Sequence, residues 1–131
     1  MGRGKALRTR IGLTAGATLI AGLGLGAVGT PAQAAWVDCD PGALCAYLQT
    51  NGGGSPGRVY GDNANLRQYD KFARARSLVN NGTQCNVRLW PHTGLTGQSY
   101  VMLRGERISD TERASSANGM FRNGVGSNRW C

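Results

Sequence analysis

Four cysteines, one histidine and seven carboxylates are the groups with which this 131-residue chain could do chemistry. His92 is the only imidazole, so neither an H-E-x-x-H zinc motif nor a second imidazole for a metal site can be written. No motif places a serine beside His92, and a solitary loop histidine is most simply solvated, which leaves a Ser-His-Asp triad without support. Asp110 and Glu112 are close enough to work as a pair. In Ser109-Asp110-Thr111-Glu112, however, they read as a capping box whose charge complements a short helical turn. No catalytic residue is expected, and no cofactor.

Cys39, Cys45, Cys85 and Cys131 lack the C-x2-C spacing of zinc sites, and an even set in an exported chain reads as disulfides. Three pairings are possible. The Pro41-Gly42 turn folds the ends of its segment together and favours Cys39 with Cys45, leaving Cys85 with Cys131. Export is indicated by residues 1–34. Arg3, Lys5, Arg8 and Arg10 precede an apolar, Gly-rich run from Ile11 to Gly29, and Ala32-Gln33-Ala34 ends it in small residues, the order of a signal peptide cleaved after Ala34. The competing reading is an uncleaved membrane anchor, because the run approaches the roughly 20 residues a bilayer needs; its six glycines and two threonines weaken that reading. Taking 34 residues from 131 leaves 97, Ala35 to Cys131, enough for one small domain. The four lost cations lower the formal charge from +8 to +4, and ten of the eleven remaining cations are arginine. Such a surface either keeps the protein soluble or meets an anionic polymer. No arginine-rich stretch interleaves with aromatics, so no nucleic-acid partner is expected, and a membrane is met only through the signal peptide. The expected molecule is a secreted, extracellular monomer.

The elements that must carry these groups are short. Asn-Gly steps at Asn51, Asn81, Asn118 and Asn123 mark tight turns, and between the turns lie strand candidates at 44–48, 58–60, 77–79, 85–90, 98–103 and 128–131. Two longer connections, 61–76 and 109–122, interrupt them, the second opening on the capping box and the first able to begin a helical turn the same way at 62–66. The chain is also written twice. Tyr47, Gly54, Gly57-Arg58-Val59-Tyr60 and Ser77 return in order as Trp90, Gly97-Gln98-Ser99-Tyr100 and Ser127, with the two Gly-x-x-Tyr units 40 residues apart and the serines 50 apart. A repeat of this length implies that each copy cannot bury its apolar face without the other. The aromatic can cover a folded hairpin, the glycine supplies a backbone angle other residues resist, and the serine hydroxyl ties the bend to a distant strand.

That arrangement resembles the βγ-crystallin Greek-key motif. The expected fold is therefore an all-β sandwich of two Greek keys, about 39–82 and about 83–131, stapled by disulfides. Cys39-Asp-Pro-Gly-Ala-Leu-Cys45-Ala-Tyr47, with Ser77-Leu-Val-Asn-Asn-Gly82 closing the first half, is similar to the actinobacterial family of secreted proteinase inhibitors built on that fold. The resemblance implies inhibition of a secreted metalloproteinase by a loop placed in its cleft like a substrate. The characterised inhibitor type stiffens that loop with a second close cysteine pair in the second half, where this chain has only Cys85 and Cys131.

The candidate inhibitory loop is Pro91-His92-Thr93-Gly94-Leu95-Thr96. Leu95 is its one large apolar side chain, and Pro91 restrains its approach. Alternatively, Leu95 stands in for a crystallin corner residue and packs inward; the 52–57 loop is a second, glycine-rich candidate. Calcium-binding relatives use an Asn/Asp-Asn/Asp-x-x-Ser/Thr-Ser segment, since the ion needs several hard oxygens. The first copy, 72–77, has lost both leading positions, and the second, 123–128, keeps only Asn123 and Ser127, so no metal site is expected. The alternative function is a cationic crystallin-like protein, similar in build to secreted killer-toxin-like proteins, that binds envelope polymers without inhibiting a protease.

Overall fold

Short apolar runs between turn residues become strands. In the computed structural model, which describes residues 36–131, these are β1 (Leu44–Tyr47), β2 (Gly57–Val59), β3 (Ser77–Asn80), β4 (Val87–Trp90), β5 (Tyr100–Met102), β6 (Arg107–Ile108) and β7 (Ser127–Trp130). The expected signal peptide, 1–34, lies outside the described residues. All pairings are antiparallel, in one sheet ordered β2-β1-β3-β6 and another ordered β5-β4-β7. Six strands overlap the candidates read from the sequence. The seventh, β6, is two residues long and too short to display an alternation.

β6 belongs to the second half of the chain but pairs with β3 of the first, Leu78 facing Ile108 and Val79 facing Arg107. The exchange is reciprocal. Asn63 of the first half bridges Asn128 of β7, each amide donating to the other's carbonyl, at 3.0 and 2.9 Å. Each Greek key thus completes the other's sheet, which is the physical content of the repeat.

The core fills the space between the sheets. Leu44, Ala46, Leu78 and Ile108 enter from one side and Val87, Leu89 and Met102 from the other. The connections add Leu66, Phe72, Phe121 and Val125. In the first connection Asn65 caps a 3-10 turn over Leu66–Gln68, accepting from the Arg67 amide at 3.0 Å, and a single helical turn, α1 (Asp70–Ala73), then carries Phe72 inward. The second connection differs from expectation. Ser109–Glu112 forms no helix; the Asp110 carboxylate accepts the Glu112 amide at 3.0 Å, Ser109 O takes the Asn51 amide at 2.8 Å, and buried Thr111 donates its hydroxyl to Ala75 O at 2.8 Å. The Asp110 carboxylate thus takes the amide that a Ser109 cap would have served, and the bonds to Asn51 and Ala75 hold the segment against the first half. The Glu112 amide, with Arg76 and Arg113 beside it, holds the Asp110 carboxyl below the usual carboxylate range.

A smaller cluster lies on the outer face of the first sheet. Ala43, Cys45, Tyr47 and Val79 are covered there by Trp36 and Cys39 of the N-terminal segment. Trp36 meets Tyr47 edge-on at 5.6 Å, and the Arg107 guanidinium stands 5.2 Å over the Trp36 ring. Both cysteine pairs are bridged, Cys39 to Cys45 and Cys85 to Cys131.

Two predictions follow from these ties. The bridges span sequence separations of 6 and 46, so chain entropy assigns about 2 kcal/mol to the first and about 4 to the second. Replacing Cys85 and Cys131 together by serine should therefore cost about twice as much unfolding free energy in a urea titration as replacing Cys39 and Cys45. The second concerns Tyr100, which packs edge-on against Phe121 at 6.3 Å and donates its hydroxyl to the Glu106 carboxylate. That bond, aided by burial and the carboxylate charge, pushes the phenol up to about 12. A folded-state value above the unfolded one means that the bond's stabilisation is whole below about pH 10 and is lost as pH rises toward 12. Tyr100→Phe should cost about 1 kcal/mol near pH 9, after discounting for solvent, and the gap from the parent should shrink by about pH 11.5. A gap independent of pH would contradict the assignment.

Candidate functional site

Beyond Trp90 the chain folds back over Pro91–Gly97, and the bend is set from a distance. Ser127 is fully buried at the start of β7; its hydroxyl donates to His92 O at 2.7 Å and accepts the Leu95 amide at 3.0 Å. In the first half, buried Ser77 donates to Gln49 O at 2.6 Å and accepts the Gly52 amide at 2.9 Å. The equivalent hairpin residues differ by 43 in number (49 to 92, 52 to 95). Gly54 and Gly97, at φ +84° and +88°, keep that offset too.

The same offset holds in the strands, where Leu44 faces Val59 as Val87 faces Met102. The two Gly-x-x-Tyr units, 40 apart, are therefore not equivalent. Gly57 is the counterpart of Tyr100, and Tyr60 that of Leu103. Gly57 allows α1 to approach, since a Cβ there would lie 2.9 Å from the Lys71 Cβ. Tyr60 is exposed and donates to the Asp40 carboxylate at 2.7 Å, outside the core that Tyr100 partly enters.

The 91–97 loop is pinned along its length. Gly94 N donates to Ala64 O at 2.7 Å, Gly126 N to Trp90 O at 2.8 Å, and Thr96 Oγ1 to Thr93 O at 3.1 Å. A Cβ on Gly126 would come within 2.2 Å of the His92 carbonyl carbon, so only glycine lets the loop lie this close to β7. His92, Thr93, Gly94 and Thr96 remain exposed, while Pro91 and Leu95 are half-buried. Thr93–Leu95 is a 3-10 turn with Gly94 at φ +81° and Leu95 at φ +57°. A branched side chain in the left-handed region costs about 1–2 kcal/mol. The first hairpin has Gly52 at this position, where a Cβ would strike Trp36 at 2.5 Å. Leu95, by contrast, is half-exposed, so a side chain fits there.

The other groups are architectural. Ser127 touches the carbonyl of His92 rather than its imidazole, which lies over Gly97. In the 52–57 loop Pro56 is buried, and Lys71 Nζ holds both the carbonyl and hydroxyl of Ser55. At the two positions kept from the calcium motif, the Ser127 hydroxyl and the Asn123 backbone carbonyl are committed. The Ser127 hydroxyl serves the hairpin, and Asn123 O accepts from Arg67 Nη1 at 2.9 Å. Arg67 Nη2 donates to Pro91 O at 2.8 Å, so a guanidinium spans the carbonyls at which a bound cation would have to compete. Among the described residues, no three His, Cys, Asp or Glu side chains gather to hold a metal. Arg67 is one of ten arginines in residues 35–131, and nothing in its sequence neighbours marks it as a clamp.

Removing the clamp is expected to loosen the loop. Arg67→Ala should lower unfolding free energy by about 1 kcal/mol, the worth of two charge-assisted bonds at an exposed site, and speed limited proteolysis within 91–97. Unchanged cleavage would show that Ser127 alone suffices.

Among solved structures, the chain is similar to a protein of the eye-lens βγ-crystallin domain fold at TM-score 0.57 and 16% identity, over 81% of this chain and 93% of that one. A βγ-crystallin from Ciona intestinalis matches at TM-score 0.55 and 12% identity, over 69% and 100%. IPSE/alpha-1 from Schistosoma mansoni eggs matches at 0.53 and 19%, over 68% and 84%. At these identities the likeness shows the fold, a βγ-crystallin-like sandwich. No curated protein matches the chain by sequence. A family model, however, matches residues 32–102, more than half of the chain, ending at the last residue of β5. Membership supports a non-enzymatic role with a protease as partner, and it covers the first Greek key together with the hairpin that Ser127 holds: the chain belongs to peptidase inhibitor family I36.

Proposed function

We propose that this protein is secreted and inhibits an extracellular metalloproteinase, with the Pro91–Thr96 loop entering the enzyme's cleft. Secretion is supported by the cationic, apolar, small-residue order of residues 1–34 and by two disulfides, which persist in oxidising compartments. The mature protein then begins near Ala35 and is one domain. Inhibition is supported by the family. The choice of loop rests on one observation, that Leu95 holds a half-exposed side chain at a backbone angle for which the first half uses glycine. Strain kept where glycine would relieve it points to a use for the side chain.

The physical account is one of preorganisation. A loop already ordered loses little entropy on docking, so contact with Leu95 converts more fully into affinity. Cleavage would require the bend to open toward an extended strand, breaking the Ser127 bonds to His92 and Leu95. Here Ser127, Arg67 and Ala64 do the stiffening that a second close disulfide does in the characterised inhibitor type. The turn enters as a bent plug, with Leu95 as its apolar contact and His92 and Thr96 beside it.

The test is a titration of the oxidised mature protein against thermolysin-like, subtilisin-like and trypsin-like proteases. Stoichiometric inhibition of the first alone is expected. Leu95→Gly should leave the fold at least as stable, since relief of the left-handed strain offsets glycine's added chain entropy, and should weaken inhibition at least about tenfold through loss of a buried aliphatic contact. Inhibition of none of the three would defeat the reading, and inhibition undiminished in Leu95→Gly would move the contact off this loop.

A further inference from the structure

The outer faces of the two sheets are equivalent under the 43-residue repeat, yet they carry opposite chemistry. On the first, Cys45 faces Val79 and Arg58, and the N-terminal segment lies over them. Arg58 is satisfied there, donating to Asp38 O at 2.8 Å with the Asp40 carboxylate at 3.6 Å. On the second, the corresponding residue is Arg88, and its neighbours are Val101 on β5 and Arg129 on β7. Two arginines therefore stand directly opposite each other on paired strands, both exposed. Arg88 Nη1 donates to Ser99 Oγ at 2.9 Å; no carboxylate among the described residues lies within ion-pair distance of either guanidinium. Like charges directly opposite on antiparallel strands destabilise a sheet.

The pair borders a concavity of about 390 Å³, lined also by Val101, Asn86 and the Cys85–Cys131 bridge. Its walls are partly apolar. We infer that this face is a docking site for an acidic segment of a protein partner, with a Glu or Asp carboxylate received between Arg88 and Arg129 and its methylene stem laid on Val101 and the disulfide. Two forked guanidiniums suit a carboxylate held by parallel N–H···O bonds. The apolar floor favours an acidic side chain over a wholly polar anion such as phosphate or a sulfated glycan. In the first half the chain's own N-terminal segment supplies the acid and the cover; in the second a partner supplies them. The inference is independent of the inhibitory loop, and Leu95→Gly should leave it intact.

The probe is fluorescein-labelled N-acetyl-hexaglutamate, titrated against the oxidised mature protein at low salt, with hexaglutamine, inorganic phosphate, heparin and phosphatidylglycerol vesicles in parallel. Hexaglutamate is expected to bind, to weaken as salt screens the charges, and to shift amide resonances of β4 and β7. Arg88→Gln and Arg129→Gln should each weaken it at least about tenfold, as expected for a lost hydrogen bond to a charged group. Each should also raise Tm by roughly 1 to 4 °C, because the like-charge opposition is gone. This joint result, weaker binding with higher stability, separates a docking pair from arginines that serve the fold. The inference is overturned if both variants bind hexaglutamate as the parent does, if both lower Tm, or if heparin or vesicles bind more tightly than the peptide with the same dependence on the two arginines.

Discussion

A buried hydroxyl holding a distant bend is the interaction on which this sandwich turns. Ser77 and Ser127 each donate to one carbonyl and accept one amide of a hairpin far upstream, and both are fully enclosed. Without the hydroxyl, the buried Gly52 amide would be left with no partner at a cost of about 1–3 kcal/mol, and the partly buried Gln49 and His92 carbonyls and Leu95 amide would lose the bonds that set the bend. With it, Tyr47 and Trp90 are held over the ends of their strands. The preceding strands then run in register with those that carry the serines, Tyr47 opposite Ser77 and Trp90 opposite Ser127. The exchange of Asn63 and β6 between the halves completes the arrangement by closing each sheet with a segment of the other.

Legibility in the sequence followed the range of the interaction. The aromatic, glycine and serine positions of the hairpins could be read because each type has one physical use at its spacing, and the cysteines bracketed turns and strand ends. A helical turn beginning within 62–66 could be read because its cap, which proves to be Asn65, lies two residues from the amide it serves. The Ser109–Glu112 capping pattern misled because the Glu112 amide is taken by the neighbouring Asp110 carboxylate, while Ser109 and Thr111 are held by Asn51 and Ala75, partners that no local pattern can supply. The Gly-x-x-Tyr likeness misled for a related reason. Short motifs coincide by chance, and only strand register distinguishes an offset of 40 from one of 43. β6 could not be read at all, because two residues hold no period. Arg67, Arg88 and Arg129 were visible only as charge, and which cations have partners is a property of the assembled surface.

The halves differ most where the N-terminal segment lies, and one cause accounts for both candidate surfaces. Trp36 covers the first hairpin closely enough that Gly52 admits no side chain, and with Cys39 it covers Cys45, Val79 and Tyr47. No described segment does the same for the second half. At the position of Gly52 the chain can therefore keep Leu95, and at the positions of Cys45 and Val79 it can keep Arg88 and Arg129. Both are locally unfavourable choices, one in backbone angle and one in charge, in a small domain whose net stability is a small difference between large terms. A fold built from two copies needs each copy's structural residues to remain, which confines variation to positions that the other copy's covering segment does not reach. The second Greek key is where this chain departs from its own repeat, and the departures gather on its hairpin and its outer face.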